Sequence, residues 1–258
     1  MSSIEIVAKQ EFESSEEDIF SFIFEQKQYW LKKARATIPN RLQQFFYRFL
    51  SFELLIPSLY KIDKEALAFE IAKLEEFDKL GISVPTIVYK CEDFFVLEDC
   101  GRSVNRFFKD RKLKEDEFFV FVEKLLIELS KIHNLGFFHG GAQLRNFIYK
   151  DEKVFVIDLE ESFDSSTTLD TLQFRDFLLF ILSFTKLKKL SFEVDYRRII
   201  DRYIELTNNK DIKTRLKKMG KKLSFFTYIS ELFFIKRFLG SDIVNFFKLF
   251  KLLNSLDG

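Results

Sequence analysis

Apolar and polar positions along the chain change their period about a third of the way in. Up to residue 36 β-forming residues dominate. IEIVAKQEF (4–12) and SFIFEQKQYWLKKARA (21–36) read as strands of an antiparallel sheet, with FESSEED (12–18) as the turn between them. Residues 40–60 switch to helical spacing, with Asn40 as a cap. Leu42, Phe45, Phe46, Phe49 and Leu50 share one face, flanked by Arg41 and Arg48. Such a face is either a core helix or a docking surface for a lipid-linked substrate or a membrane. A second amphipathic helix, 64–80, stops at Gly81. TIVYK and DFFVLED then read as a hairpin, 115–135 as a long buried helix, VFVID (154–158) as a buried strand, and the chain from about 170 as helical. The predicted fold class is α+β and bilobal: a small antiparallel-sheet lobe over 1–98 and a mainly helical lobe over 99–258, the boundary falling near Glu98–Gly101.

Composition narrows the class. Hydrophobic residues make up 47% of the 258 positions, enough for a sizeable core. The 35 phenylalanines stand out, and together with abundant lysine they are consistent with a coding bias as well as with packing. With 41 basic and 40 acidic residues the net charge is +1, which gives no global field toward nucleic acid or anionic lipid. Cys91 and Cys100 make no disulfide framework, so a reducing compartment is expected. The polar, acidic start is not a signal peptide, and the longest apolar run, Phe177–Leu182, is too short to span a bilayer. The expectation is a soluble cytoplasmic protein, with peripheral attachment at the membrane left open.

The chemistry concentrates in HGGAQLRNFIYKDEKVFVID (139–158). His139 opens it, Asn146 follows seven positions later, and Asp158 closes the strand twelve positions after that. A carboxylate at the end of a buried strand projects into a cleft where Mg²⁺ offsets its charge, and Asn146 offers a neutral oxygen for a second metal contact. His139 counts among the catalytic-loop candidates but reads mainly as a packed residue holding the loop, and His133 reads as structural. Lys32 in YWLKKAR has the placing of a lysine that reaches nucleotide phosphates, with Lys33 as its competitor on the other strand face. Glu70 is the expected partner of Lys32, with Glu75 and Glu76 as decoys. No Gly precedes Gly81, so a phosphate-covering loop would use Ser14 and Ser15 or backbone alone. Asp176 is expected to accept hydrogen bonds from the backbone of the 139–146 loop.

In this order Lys32, Glu70, the FFVLED segment with Glu98, His139 to Asn146, Asp158 and Asp176 resemble the protein-kinase-like superfamily over most of the chain. HGGAQLRN followed by IDLEE is similar to the small bacterial branch that includes lipopolysaccharide core-sugar kinases and Bud32-like atypical kinases. The resemblance implies ATP and Mg²⁺ as ligands, Lys32, Glu70 and Glu98 on the nucleotide side, and Asn146 and Asp158 on the metal. About eighteen residues separate Asp158 from Asp176, with no A-P-E segment between them, which favours a small-molecule or glycolipid acceptor over a peptide. Gly141 stands where such loops carry the catalytic Asp. Gln143 is one candidate to orient an acceptor hydroxyl, Glu160 or Glu161 to take its proton, and Arg145 to stabilise the transferring phosphoryl group. Three readings follow: a sugar or glycolipid kinase, a pseudokinase that binds nucleotide or scaffolds, and a Bud32-like kinase or ATPase of a tRNA-modification assembly.

Overall fold

Ile4, Val7, Ala8 and Phe12 are spaced by three and four residues, the period of one helix face. In the computed structural model, which describes residues 3–39, 44, 47, 52–110, 113–187 and 190–232, the first segment is accordingly a helix, α1 (Ile4–Ser14), and not the strand expected from its β-branched residues. α1 lays that face on the back of a sheet, where Ala8, Phe22, Tyr29, Leu31, Phe94 and Val96 form a small core. Tertiary burial of a narrow apolar stripe outweighs the modest β-propensity of Ile and Val. Ser14 and Ser15 end the helix: the Ser14 hydroxyl donates to Glu11 O, and Ser15 O accepts from Lys33 Nζ. Neither serine lines the cleft described below.

The second expected strand is a hairpin, β1 (Ile19–Phe24) and β2 (Lys27–Lys33). Its two-residue turn is Glu25–Gln26, both with positive φ (47° and 64°). Gly or Asn normally marks such a turn, and their absence hid the hairpin in the sequence. The expected helix face at Leu42, Phe45, Phe46, Phe49 and Leu50, with Arg41 and Arg48, lies outside the described residues. The tail of that segment contains a 3₁₀ turn at Glu53–Leu55.

Helix α2 (Asp63–Lys79) follows the expected span. It ends where Leu80 and Gly81 fold back, with Gly81 N–H donating to Asp78 O and Ile82 N–H to Phe77 O. Gly81 takes φ +74°, a conformation that glycine adopts without penalty. The buried face of α2 carries Ala66, Leu67, Ile71, Leu74 and Phe77, interrupted by Glu70 and Lys73. β3 (Ile87–Lys90) and β4 (Phe94–Glu98) form the expected hairpin, and the antiparallel sheet runs β1-β2-β4-β3.

From β4 the chain passes Asp99–Gly101 into β5 (Arg102–Ser103), α3 (Val104–Asp110) and α4 (Glu115–Asn134). A Cβ at Gly101 would come within 2.5 Å of Tyr149 O, so this connection closes only on glycine. The 3₁₀ turn Leu144–Asn146 leads into β6 (Phe147–Lys150) and β7 (Lys153–Val156), which with β5 make a second sheet, β5-β6-β7. α5 (Leu169–Phe184), α6 (Tyr196–Thr207) and α7 (Asp211–Leu232) complete the helical part. Its core is strongly aromatic. Phe108, Phe118, Phe184, Phe180 and Phe147 touch ring to ring in a continuous chain, each contact adding about 1 kcal/mol beyond the area it buries. The architecture is a small antiparallel-sheet lobe joined to a mainly helical lobe.

Candidate active site

The alternation of β2 puts Gln28, Trp30 and Lys32 on one face of the sheet, and that face forms one wall of a cleft of about 900 Å³. α2 delivers Glu70 to the same wall, β4 and its exit deliver Leu97, Glu98 and Asp99, and the opposite side carries Arg102, Arg106, Arg145, Asn146 and Asp158. The cleft therefore collects residues that are far apart in sequence. Lys33, the competitor of Lys32, turns to the other face, where it donates to Phe12 O and Ser15 O and covers the Phe12 ring.

Lys32 is the electrostatic centre of the cleft. Its Nζ lies 2.6 Å from Glu70, 3.2 Å from Glu160 and 3.5 Å from Asp158. Burial alone would lower its pKa, but the three carboxylates together hold it well above the ordinary lysine value, so the ammonium persists. Burial pushes the Glu70 carboxyl upward, and the pairing with Lys32 opposes that rise. Glu75, one of the sequence decoys, pairs instead with Lys90 at the surface.

The loop 139–146 is fixed by backbone capture. Asp176 accepts from the N–H groups of His139 (2.6 Å) and Gly140 (3.0 Å), as the sequence led us to expect. Arg175, its neighbour on α5, donates to Gly140 O and, over 3.0 Å, to Glu161. Lys73 donates to His139 O over 3.0 Å and lies 4.4 Å from the centre of the Phe138 ring. His139 is fully buried and does not line the cleft; its Nδ1 accepts from Gly141 N–H. Burial pulls its pKa down to about 4, so the ring is neutral and supports the loop from inside, which does not match its place among the catalytic candidates of the sequence. His133 is likewise internal, hydrogen-bonded to Tyr203.

Asp158 follows β7 with φ +64°, a left-handed conformation that Asp tolerates. Ile157 N–H donates to Asn146 O, which locks the end of β7 beside the 3₁₀ turn and leaves Asn146 Nδ2 3.2 Å from Asp158. One carboxylate and one amide suit Mg²⁺, which keeps several waters and takes phosphate oxygens as its remaining ligands. Among the described residues no group of three or more His, Cys, Asp or Glu side chains forms an all-protein metal cage. Glu98 ends β4 at the cleft edge, its N–H on Thr86 O. Arg145 lines the cleft, whereas Gln143 does not.

Sequence reasoning missed Lys73, Arg175 and the tie from Trp30 Nε1 to Asp99 (2.8 Å). A signal existed for the first two. Each is a charge inside an otherwise apolar helical face, next to or three residues from another such charge, and buried charges of this kind require partners. The Trp30–Asp99 bond spans sixty-nine residues and has no local signature.

This arrangement is that of the protein-kinase-like fold. The solved structure of WaaP in complex with acyl carrier protein superposes with a TM-score of 0.50 over 85% of this chain and 87% of that one, at 13% identity. An uncharacterized protein of Haemophilus influenzae is 28% identical over 176 residues, 68% of this chain; the match spans 66% of that protein's length. No protein-family model matches the chain. Among the described residues no helix is long and apolar enough to cross a membrane.

Proposed function

We propose that the chain is an ATP-dependent phosphotransferase acting on a sugar or lipid-linked acceptor, such as a lipopolysaccharide core. One observation carries the reading: a persistently charged Lys32, paired with Glu70 at 2.6 Å, stands in a cleft beside Asp158 and Asn146. In phosphoryl transfer the protein mainly positions groups and neutralises charge. Lys32 is placed to hold nucleotide phosphates, Asn146 and Asp158 to hold Mg²⁺, and Arg145 to face the transferring group. Bound Mg²⁺ would neutralise the charge developing on the phosphates. Trp30 and Leu97 offer apolar surface for a base, and the Trp30 indole is a stacking partner for one. The kinase-like fold shared with WaaP supports a phosphotransferase; the acceptor class rests on the similarity of HGGAQLRN and IDLEE to the lipopolysaccharide core-sugar kinase branch. WaaP was solved with acyl carrier protein, so an acyl carrier protein is an additional partner to screen by co-purification.

Trp30 is the single tryptophan of the chain and reports the cleft directly. Mg-ATP should quench its fluorescence and raise the melting temperature, and Lys32→Ala should abolish the quench. Purified protein with Mg-ATP and candidate core glycolipids should then transfer phosphate, with Asp158→Ala slower by on the order of a hundredfold to a thousandfold. Absence of both quench and thermal shift would refute the nucleotide site itself. Gly141 favours a second reading, a nucleotide-binding pseudokinase; quench without turnover would select it.

A further inference from the structure

Gly141 leaves the loop without a carboxylate, and the surrounding geometry shows what occupies the space. A Cβ at Gly141 would lie 3.3 Å from Asn146 Nδ2 and 3.9 Å from Glu161 Oε1. At Gly140, with φ +100°, a Cβ would meet the Glu161 Cβ at 3.0 Å. The Gly140–Gly141 pair is thus a gap in the loop that Glu161 fills from the opposite strand of chain. Glu161 is anchored through one oxygen only: its Oε2 accepts from Arg175 at 3.0 Å, and among the described residues its Oε1 has no hydrogen-bond partner. Its side chain is about one-third exposed and lies beside the loop 139–146, next to Asn146 and Asp158, which line the cleft, rather than in the cleft lining itself.

The other carboxylates nearby are engaged. Glu160 is held by Lys32 at 3.2 Å and by Arg35 at 3.6 Å. Asp158 faces Lys32 and Asn146, and Asp176 is consumed by backbone N–H groups. Resting on the phosphotransferase reading above, we infer that Glu161 is the catalytic carboxylate of this chain, relocated from position 141 to a site facing the same loop. In the step it would serve, the acceptor hydroxyl oxygen forms a bond to the terminal phosphorus of a nucleoside triphosphate held with a divalent cation. The bond from that phosphorus to the bridging oxygen breaks, the diphosphate leaves with the electron pair, and the hydroxyl proton passes to Glu161 Oε1. With water as acceptor the same step yields inorganic phosphate.

Basal hydrolysis of Mg-ATP, followed as ADP release, tests the assignment without an identified acceptor. Glu161→Gln preserves an acceptor for Arg175 and should keep the melting temperature and the Trp30 quench, while turnover falls about a hundredfold. Adding Gly141→Asp to that variant should recover at least tenfold of the loss, because φ at 141 is not in the left-handed region and only the Asn146 amide must give by a few tenths of an ångström. A residue that merely braces Arg175 would not be rescued from position 141. Wild-type turnover in Glu161→Gln, or no recovery in a folded double variant, overturns the assignment. A wild type that quenches but never hydrolyses ATP also overturns it, and leaves nucleotide binding standing. A wild type that shows no quench refutes the nucleotide site, and with it this role.

Discussion

The wall of the cleft and its floor, the loop 139–146 that carries Arg145 and Asn146 into it, use the same side chain to opposite ends. Lys32 on the wall and Lys73 beneath the floor are both largely removed from water, yet three carboxylates hold Lys32 charged whereas Lys73 meets a carbonyl and aromatic faces. Burial pulls the Lys73 pKa down to about 8. The wall thus concentrates fixed charge where a polyanion would enter. On the floor, Asp176, Arg175 and Lys73 are directed at the backbone of residues 139–140. What separates the two lysines is whether the neighbouring groups carry full charges that remain when a ligand departs, and not how deeply each is buried. Charges on the wall are therefore available to function, and charges beneath the floor are committed to shape.

Substitutions at the two places should separate fold from binding. The largest effect on stability is expected for Asp176→Ala, which strands the buried N–H groups of His139 and Gly140 and removes the carboxylate beside His133. A loss of about 3–5 kcal/mol follows from breaking such a network, or roughly a 10 °C fall in melting temperature by calorimetry. Lys32→Met should do the reverse: Glu70 can take up a proton and limit the cost to the fold, while Mg-ATP affinity, read by Trp30 quenching, drops at least about tenfold. If Lys32→Met unfolds the protein and Asp176→Ala does not, the contrast between wall and floor is wrong.

Acid should act on the floor next. His139 is held at a pKa of about 4 against an ordinary value of 6.5. Between those values the unfolded chain binds a proton that the folded one does not, so the contribution is complete above 6.5 and is lost as pH falls toward 4. Unfolding free energies from denaturant titrations between pH 7 and pH 4 should decline by about 3 kcal/mol from this group, and His139→Asn should flatten that limb. The smallest effect belongs to Lys73→Met. Removing its bond to His139 O costs about 1 kcal/mol, partly offset because a charge no longer has to be buried. Wild-type stability should rise between pH 8 and 10.5, where the unfolded lysine holds a proton that the folded one has shed. The variant should lack that rise.

Much of this contrast was legible in advance where the signal was local. α2 with its Gly81 stop, the 115–135 helix, the β3–β4 hairpin and the spacing of His139, Asn146 and Asp158 are all written within runs of about twenty residues. The misreadings have physical causes. α1 reads as a strand because Ile and Val favour sheets, although its 4, 7, 8, 12 spacing is helical. The β1–β2 hairpin was missed because Glu25 and Gln26 adopt left-handed conformations without glycine or asparagine. Arg175 beside Asp176, and Lys73 three residues beyond Glu70, were charges in apolar faces whose need for partners was visible, but whose partners were not.

The sequence by itself determined the spacing of His139, Asn146 and Asp158 and the gap at Gly141, because all four lie within one run of twenty residues; Lys32 and Glu70 come from the family resemblance, far from that run. Only the tertiary structure decided that Lys32 and not Lys33 faces the cleft, that Glu160 is bound to Lys32 while Glu161 keeps an oxygen turned toward Gly141, and that Trp30 is tied to Asp99. Two adjacent glutamates are equivalent in a sequence. They become different when the backbone after Asp158 turns one toward a lysine and the other toward a pair of glycines, because a carboxylate takes its chemistry from the charges and space around it.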